Sequence, residues 1–312
     1  MLSYAIRRLL VLFLVGLAVT VIVFFMIHMV PGNPARIMAG IDASAEDVKL
    51  MSERLGLNRP LYIQYLDYMK GLFQGDFGVS IRTGRPVIQQ LFSRYPATFE
   101  LAVSGMLIAL IISIVGGVIA ATHHNTFIDN LTMIGALFGV SMPSFWRGLM
   151  LMFLFSLVLG WLPVSGRGDP FTLDWLRHLI LPAVTLGIGS AAYLVRLIRS
   201  SMLEILNEEY IKTARSKGLG ERYVIYRHAL KNAFIPIITM AGMQFGYLLG
   251  GTVVIETVFA WPGIGRLIIN SVFARDFPAV QGAILMLALS FAFVNLIVDL
   301  TYAVLDPRIR YS

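Results

Sequence analysis

The residues that could do chemistry are few, and they sit in or beside apolar runs. His28, His123 and His124 do not fall at metal-ligand spacing on one helix, so no metal site is expected. Glu256 lies at the end of an apolar run. Asn295 and Asp299 are four apart, on one face of another. A proton relay normally shows several acidic residues at mid-depth, so Asp299 is read as a structural residue that reaches the interface or pairs with Arg308 or Arg310. Arg147 either lines a path or snorkels out of the apolar layer. The chain has no Cys, no G-x-x-x-x-G-K-[ST], no G-x-S-x-G and no H-E-x-x-H. No nucleophile, zinc or nucleotide chemistry is therefore expected here, and any ATP that the system uses binds on another chain.

The strongest signal is instead a polar island, Asn207–Pro236. It carries six basic residues: Lys212, Arg215, Lys217, Arg222, Arg227 and Lys231. It reads as two helices around a glycine. Glu208 and Glu209 occupy the first turn of the first helix, and Arg215 and Lys217 its last, which complements the helix dipole at both ends. Gly218 falls where a left-handed residue would end that helix. Gly220-Glu221 starts the second helix, which runs on into an apolar span. Tyr210, Ile211 and Ala214 share one face of the first helix and must be covered, by neighbouring helices or by a partner.

The elements around this island are apolar. Of 312 residues, 57% are hydrophobic and 14% charged, against about a quarter charged in a soluble domain. A formal charge of +7 on such a chain points to anionic lipid headgroups rather than nucleic acid. Six runs suit a bilayer core that needs about 20 apolar helical residues: Leu9–Val30, Leu101–Thr122, Leu131–Leu162, Leu179–Val195, Ala233–Ile255 and Ala279–Val298. The first is too long for a cleavable leader and is read as a retained span. The third is too long for one straight span. It is expected to break near Ser141-Met142-Pro143-Ser144, since proline removes a donor and clashes with the preceding turn.

With the N-terminus inside, cytoplasmic segments hold 12 Lys and Arg and the two short outer loops hold 4. The long outer segment 31–97 adds eight, but segments above about 60 residues largely escape the positive-inside rule. The reading is an all-α membrane protein with both ends in the cytoplasm. Its expected parts are 1–30 (N-terminus and first span), 31–97 (a helical extracytoplasmic cap) and 98–312 (five further spans with a cytoplasmic loop at 201–232).

Within the cap, Ser44 and Asp47 have capping-box spacing. Pro60 and Pro86 stand where helices begin. Tyr62, Tyr65, Leu66, Met69, Leu72 and Phe73 form an apolar stripe. Gly242, Gly246 and Gly250 recur once per turn, a packing face. Gly116 and Gly117, and Gly187 and Gly189, mark two more closely packed spans.

The island resembles the cytoplasmic loop signature of binding-protein-dependent ABC importer permeases, E-A-A-x3-G-x9-I-x-L-P. Ala214, Gly218 and Leu230 match; Lys212, Thr213, His228 and Lys231 depart from the general pattern. Tyr210–Leu219 with Arg227–Ala233 is similar to the variant of the peptide/opine/nickel branch. So are Pro31–Pro34, Gly75-Asp-Phe-Gly-Val-Ser80, Ser141-Met-Pro-Ser-Phe-Trp146, Phe259–Arg266, Arg275-Asp-Phe-Pro278 and the ending Leu305–Tyr311.

The resemblance implies a type I ABC importer permease fold in a bacterial inner membrane. It implies a heterodimeric pore with a second homologous permease, two ATPase subunits that hold ATP and Mg, and an extracytoplasmic solute-binding protein. Glu209, Tyr210, Thr213, Ala214, Arg215, Lys217 and Gly218 would then form the coupling helix and its turn, with Tyr210 and Ala214 facing the ATPase. Phe259–Phe277 would be an outer re-entrant element, with Trp261 and Arg266 at the boundary. Pro143, Arg147, Glu256, Trp261 and Arg266 are the candidate pathway or gate residues. Peptides, including glutathione, are the implied cargo, with a nickel or metal chelate as the alternative within the family. An ion-coupled transporter is the reading of a different class; it would want mid-membrane acids and internal symmetry, and neither is seen.

Overall fold

The computed structural model describes residues 2–29, 35–36, 43–54 and 56–305. Among these residues the protein is helical apart from turns and an isolated bridge between Val79 and Pro86. In chain order the helices are α1 (Leu2–Met29), α2 (Ala45–Arg54), α3 (Leu61–Phe73), α4 (Val87–Thr122), α5 (Phe127–Ser141) and α6 (Ser144–Met152). Then come α7 (Leu173–Leu206), α8 (Glu209–Ser216), α9 (Glu221–Val258), α10 (Ile264–Phe273) and α11 (Phe277–Leu305). Helix α6 ends in a π-helical turn, Phe153–Val158, and α9 contains another, Val224–Ala229.

Five described helices are long and apolar enough to cross a membrane. A sixth span results if α5 and α6 are joined across their 105° bend. The bend falls at Met142-Pro143, where the sequence places it. Pro143 is extended (φ −55°, ψ 138°), and α6 starts at the next residue. The second span is longer than its apolar run. Helix α4 begins at Val87 and continues through Pro96 for 36 residues, about 54 Å at 1.5 Å per residue. A bilayer core takes up about 30 Å of that, so the helix extends well beyond the length that a membrane span needs.

The chain forms two compact units, Thr98–Trp261 with Val294–Ser312, and Leu2–Ala97 with Pro262–Phe293. In the larger unit, small residues let helices close on one another. A Cβ on Gly117 would stand 2.6 Å from Ile198, and one on Gly187 2.7 Å from Ile108, so a methyl group at either site pushes the helices apart. Gly242 lies directly against Val298, and Gly246 is buried. Gly250 has open space around it within this chain. Asp129, 2% exposed, accepts two hydrogen bonds from the Arg199 guanidinium at 2.6 and 2.7 Å, which ties the start of α5 to α7.

In the smaller unit α2 is capped as its sequence implies. The Asp47 N–H donates to Ser44 Oγ (3.1 Å), and the Ser44 hydroxyl (2.7 Å) and N–H (3.0 Å) both donate to Asp47 Oδ2; the hydroxyl first and then the N–H hold the Asp47 carboxyl below its usual range. Pro60 and Pro86 stand one residue before their helices rather than as the first residue. The expected stripe on α3 is only partly used: Tyr62, Leu66 and Phe73 are exposed. The packed edge is Tyr65 with Tyr68. Phe24 stacks edge-on to Tyr65 at 5.3 Å, and the Tyr65 hydroxyl is 2.9 Å from Thr20 Oγ1. Burial, with Tyr65 beside it, pushes the Tyr68 phenol up to about 12.

Candidate functional site

Helix α8 is short and two-faced. Ile211 and Ala214 are buried against Val118, Ala121, Ile198, Met202, Val224, Ala229, Ala233 and Ile237. The sequence reading sets Tyr210 and Ala214 together on the face offered to a partner; the structure separates them, because apolar residues three apart complete the core of α4, α7 and α9. The outward face is Tyr210, Lys212, Thr213 and Lys217, all exposed.

Local bonds set the shape of this face. Glu209 accepts from Lys212 at 2.7 Å, and Asn232 donates to the Tyr210 hydroxyl at 2.7 Å. Arg215 forks onto Glu221 at 2.6 and 3.1 Å, across the turn between α8 and α9, which raises its pKa. Gly218 makes that turn with φ +77° and nothing within 4 Å of an added Cβ. Backbone handedness, not space, is therefore what requires glycine.

Arg147 holds the broken span. It is buried, and its guanidinium donates to Gly139 O (2.5 Å) and Thr185 O (3.0 Å). Gly139 lies in the last turn of α5, where carbonyls have no partner in their own helix. Arg147 thus supplies from α6 the donors that the break removes, and stitches both halves to α7. Snorkelling, the other sequence reading, does not occur.

Glu256 is fully buried and accepts from Thr98 Oγ1 at 2.7 Å. Trp261 is also fully buried, rather than presented at a lipid boundary. The Arg167 guanidinium lies 5.9 Å from the centre of its ring and forks onto Glu100 at 2.5 and 3.1 Å, while the Trp175 indole N–H donates to Glu100 at 3.3 Å. Asp299 lies in α11, but Arg308 and Arg310, its expected partners, fall outside the described residues.

The smaller unit joins two motifs that lie far apart in sequence. Asp276, 2% exposed, accepts the Ser80 hydroxyl and the N–H of Ile81 (3.0 Å). Thus Gly75–Ser80 and Arg275–Pro278, both singled out above, close on one another. The turn that presents Asp276 passes through Arg275 at φ 53°, with the Asp276 N–H on Ser271 O at 2.8 Å. Beneath it lies a core of Val87, Leu91, Ile264, Leu267, Ala279 and Ala283. Arg266, the remaining candidate, lines a cavity in this unit. Ser80 and Asp276 were not picked out as site residues; their recurrence within two family-like motifs was the available signal. Among the described residues no group of three or more His, Asp or Glu could hold a metal ion.

Apolar helices of spanning length, one broken span and a polar two-faced loop helix define a multi-pass membrane permease subunit. The chain belongs to the binding-protein-dependent transport system inner membrane components: that family's model matches residues 113–311, and the model of its N-terminal region matches 1–102. It is 45% identical to the glutathione transport system permease protein GsiC of Escherichia coli K12, with both chains fully covered. It is 44% identical, again over the whole of both, to the dipeptide transport system permease protein DppB of Alkalihalophilus pseudofirmus. Its fold is similar to a chain of the inward-facing MetNI methionine ABC transporter (TM-score 0.60, 14% identity, 70% of this chain and 97% of that one).

Proposed function

We propose that this chain forms one half of the membrane path of an ATP-driven importer for peptides: dipeptides, oligopeptides or glutathione. Both termini lie in the cytoplasm of a bacterium, and the 31–97 segment forms a cap on the opposite side. The pore is completed by a second, homologous permease. ATP and Mg act on two partner ATPases, and a solute-binding protein delivers the cargo. This chain is a conduit and carries no catalytic residue.

The observation that carries the reading is the geometry of α8. Its inner face is locked into the ends of the spans, and its outer face is polar and exposed. Pushing on such a helix moves spans rather than bending a loop. Closure of the ATPases on ATP shifts α8, and the spans alternate their opening. The two nucleotide states must differ in their contacts at this helix, or no work is transmitted. End-to-end similarity to dipeptide and glutathione permeases supports the cargo.

The test is reconstitution of the chain in proteoliposomes with a second permease, ATPases and a binding protein from the same organism. ATP-dependent uptake of labelled dialanine or glutathione supports the reading. Uptake driven by an ion gradient without ATP overturns it.

A further inference from the structure

Among the described residues, helix α3 leaves part of its apolar surface uncovered. At about 100° per residue, Tyr62, Leu66, Met69 and Phe73 share roughly 60° of arc. Tyr62, Leu66 and Phe73 are 68%, 62% and 76% exposed. The neighbouring arc is Tyr65 and Tyr68, and α1 covers it: Phe24 meets both rings, at 5.3 and 6.0 Å, and Thr20 Oγ1 is 2.9 Å from the Tyr65 hydroxyl. Gln64 and Asp67 lie about 140–160° from the centre of the open stripe. Asp67 pairs with Arg59 at 3.1 Å, with both side chains well exposed. The helix therefore has a docked apolar edge, an open apolar stripe beside it, and a polar back. The level at which α1 holds it is also defined. Ile6–Phe25 of α1 is long and apolar enough to cross a membrane, and Thr20 and Phe24 both fall inside it. Thr20 is five residues before the end of that stretch, about 7.5 Å of helix. Ile22 and Phe25 stand at the same level of α1 and are exposed too, so apolar surface is open there on both helices.

We propose that α3 is an interfacial helix: its open stripe is sunk into the leaflet at the far end of α1, and the partner it fits is a lipid surface. An uncovered apolar stripe marks a protein or a membrane contact, and two observations favour the membrane. First, the stripe adjoins an edge that is docked on a spanning helix inside its apolar stretch. Interfacial helices bury an apolar face about 5–10 Å into the boundary between headgroups and acyl chains, which matches the level of Thr20. Second, the charged pair Arg59–Asp67 sits on the back of the helix, the side such a helix keeps in water. A soluble protein approaching from the water would meet that polar back and not the stripe. The segment after α1 is thus held twice, by Tyr65 on the span and by Tyr62, Leu66 and Phe73 in lipid.

The test is spin labelling of the full chain, assembled with a second permease and ATPases in phosphatidylcholine nanodiscs. The chain has no Cys, so Leu66→Cys and Asp67→Cys each place a single nitroxide on it once partner cysteines are replaced by serine. Power saturation with oxygen, which concentrates in lipid, and with a nickel chelate, which stays in water, reads the surroundings of each label. The ratio of oxygen to chelate collisions should be several-fold higher at position 66 than at 67, as a lipid-sunk stripe and a wet back imply. If the Leu66 variant does not assemble, Tyr62→Cys and Phe73→Cys read the same stripe. Equal ratios on the stripe and at 67 overturn the proposal. A stripe label that neither reagent reaches also overturns it, in favour of contact with the second permease. Chelate access on the stripe that falls when a binding protein is added overturns it as well, in favour of a protein-docking face.

Discussion

The α8 loop and the Asp276 strap are both built from short family-like motifs of the sequence, yet they work differently. At α8 the parts are adjacent in the chain. Glu209, Lys212, Arg215 and Glu221 pair locally on the surface, and the helix is held by apolar contacts on its inner face. At Asp276 the parts are 196 residues from Ser80, and one buried carboxylate organises the loop. Exposed ion pairs contribute little each, typically below about 1 kcal/mol, whereas removing a buried charged acceptor orphans every donor around it. The first region therefore leaves a polar face exposed on a packed helix, and the second holds a loop in shape through one buried acceptor.

The largest effect is expected at the strap. Asp276→Ala leaves the Ser80 hydroxyl and the N–H groups of Ile81, Arg82 and Ala279 without their acceptor and should cost about 2–4 kcal/mol. A clear drop in detergent melting temperature, with reduced assembly, is the expected outcome. A variant that melts like the wild type would show that the strap does not hold the smaller unit.

Gly218→Val comes next. A φ of +77° costs an L-residue about 1–2 kcal/mol, and open space around the Cβ position means the cost is conformational. The complex should assemble and keep basal ATPase activity while uptake falls. Normal uptake would break the contrast, since the turn would then be only a connection. Tyr210→Phe should be smallest on stability, about 1 kcal/mol or less for the exposed bond from Asn232, detectable as a small shift in melting.

Local features were legible in the sequence, because each is written in a few adjacent residues. Pro143 marks the break between α5 and α6, Gly218 the left-handed turn, and Ser44 with Asp47 the cap of α2. Apolar length likewise marked the spans. What escaped depends on tertiary partners. The inward turn of Ala214 follows from where α4, α7 and α9 leave room. Trp261 is fully buried with the Arg167 guanidinium beside its ring, a tertiary setting that an aromatic at a span end does not reveal. Helix α4 reaches back to Val87 because its first turns pack on α10 and α11, so a hydropathy window starting at Leu101 catches only its membrane half. The link between Ser80 and Asp276 is invisible to any local pattern.

The absence of cysteine makes the central claim, that α8 presents its polar face to an ATPase, directly testable. Thr213→Cys and Ile211→Cys can each be paired with single cysteines placed around the groove of the partner ATPase and oxidised in the assembled complex. The account predicts a disulfide cross-link from position 213 whose yield changes on adding ATP, and none from position 211, which faces the spans. Cross-linking from 211 with none from 213, or no ATPase cross-link from either, would contradict it.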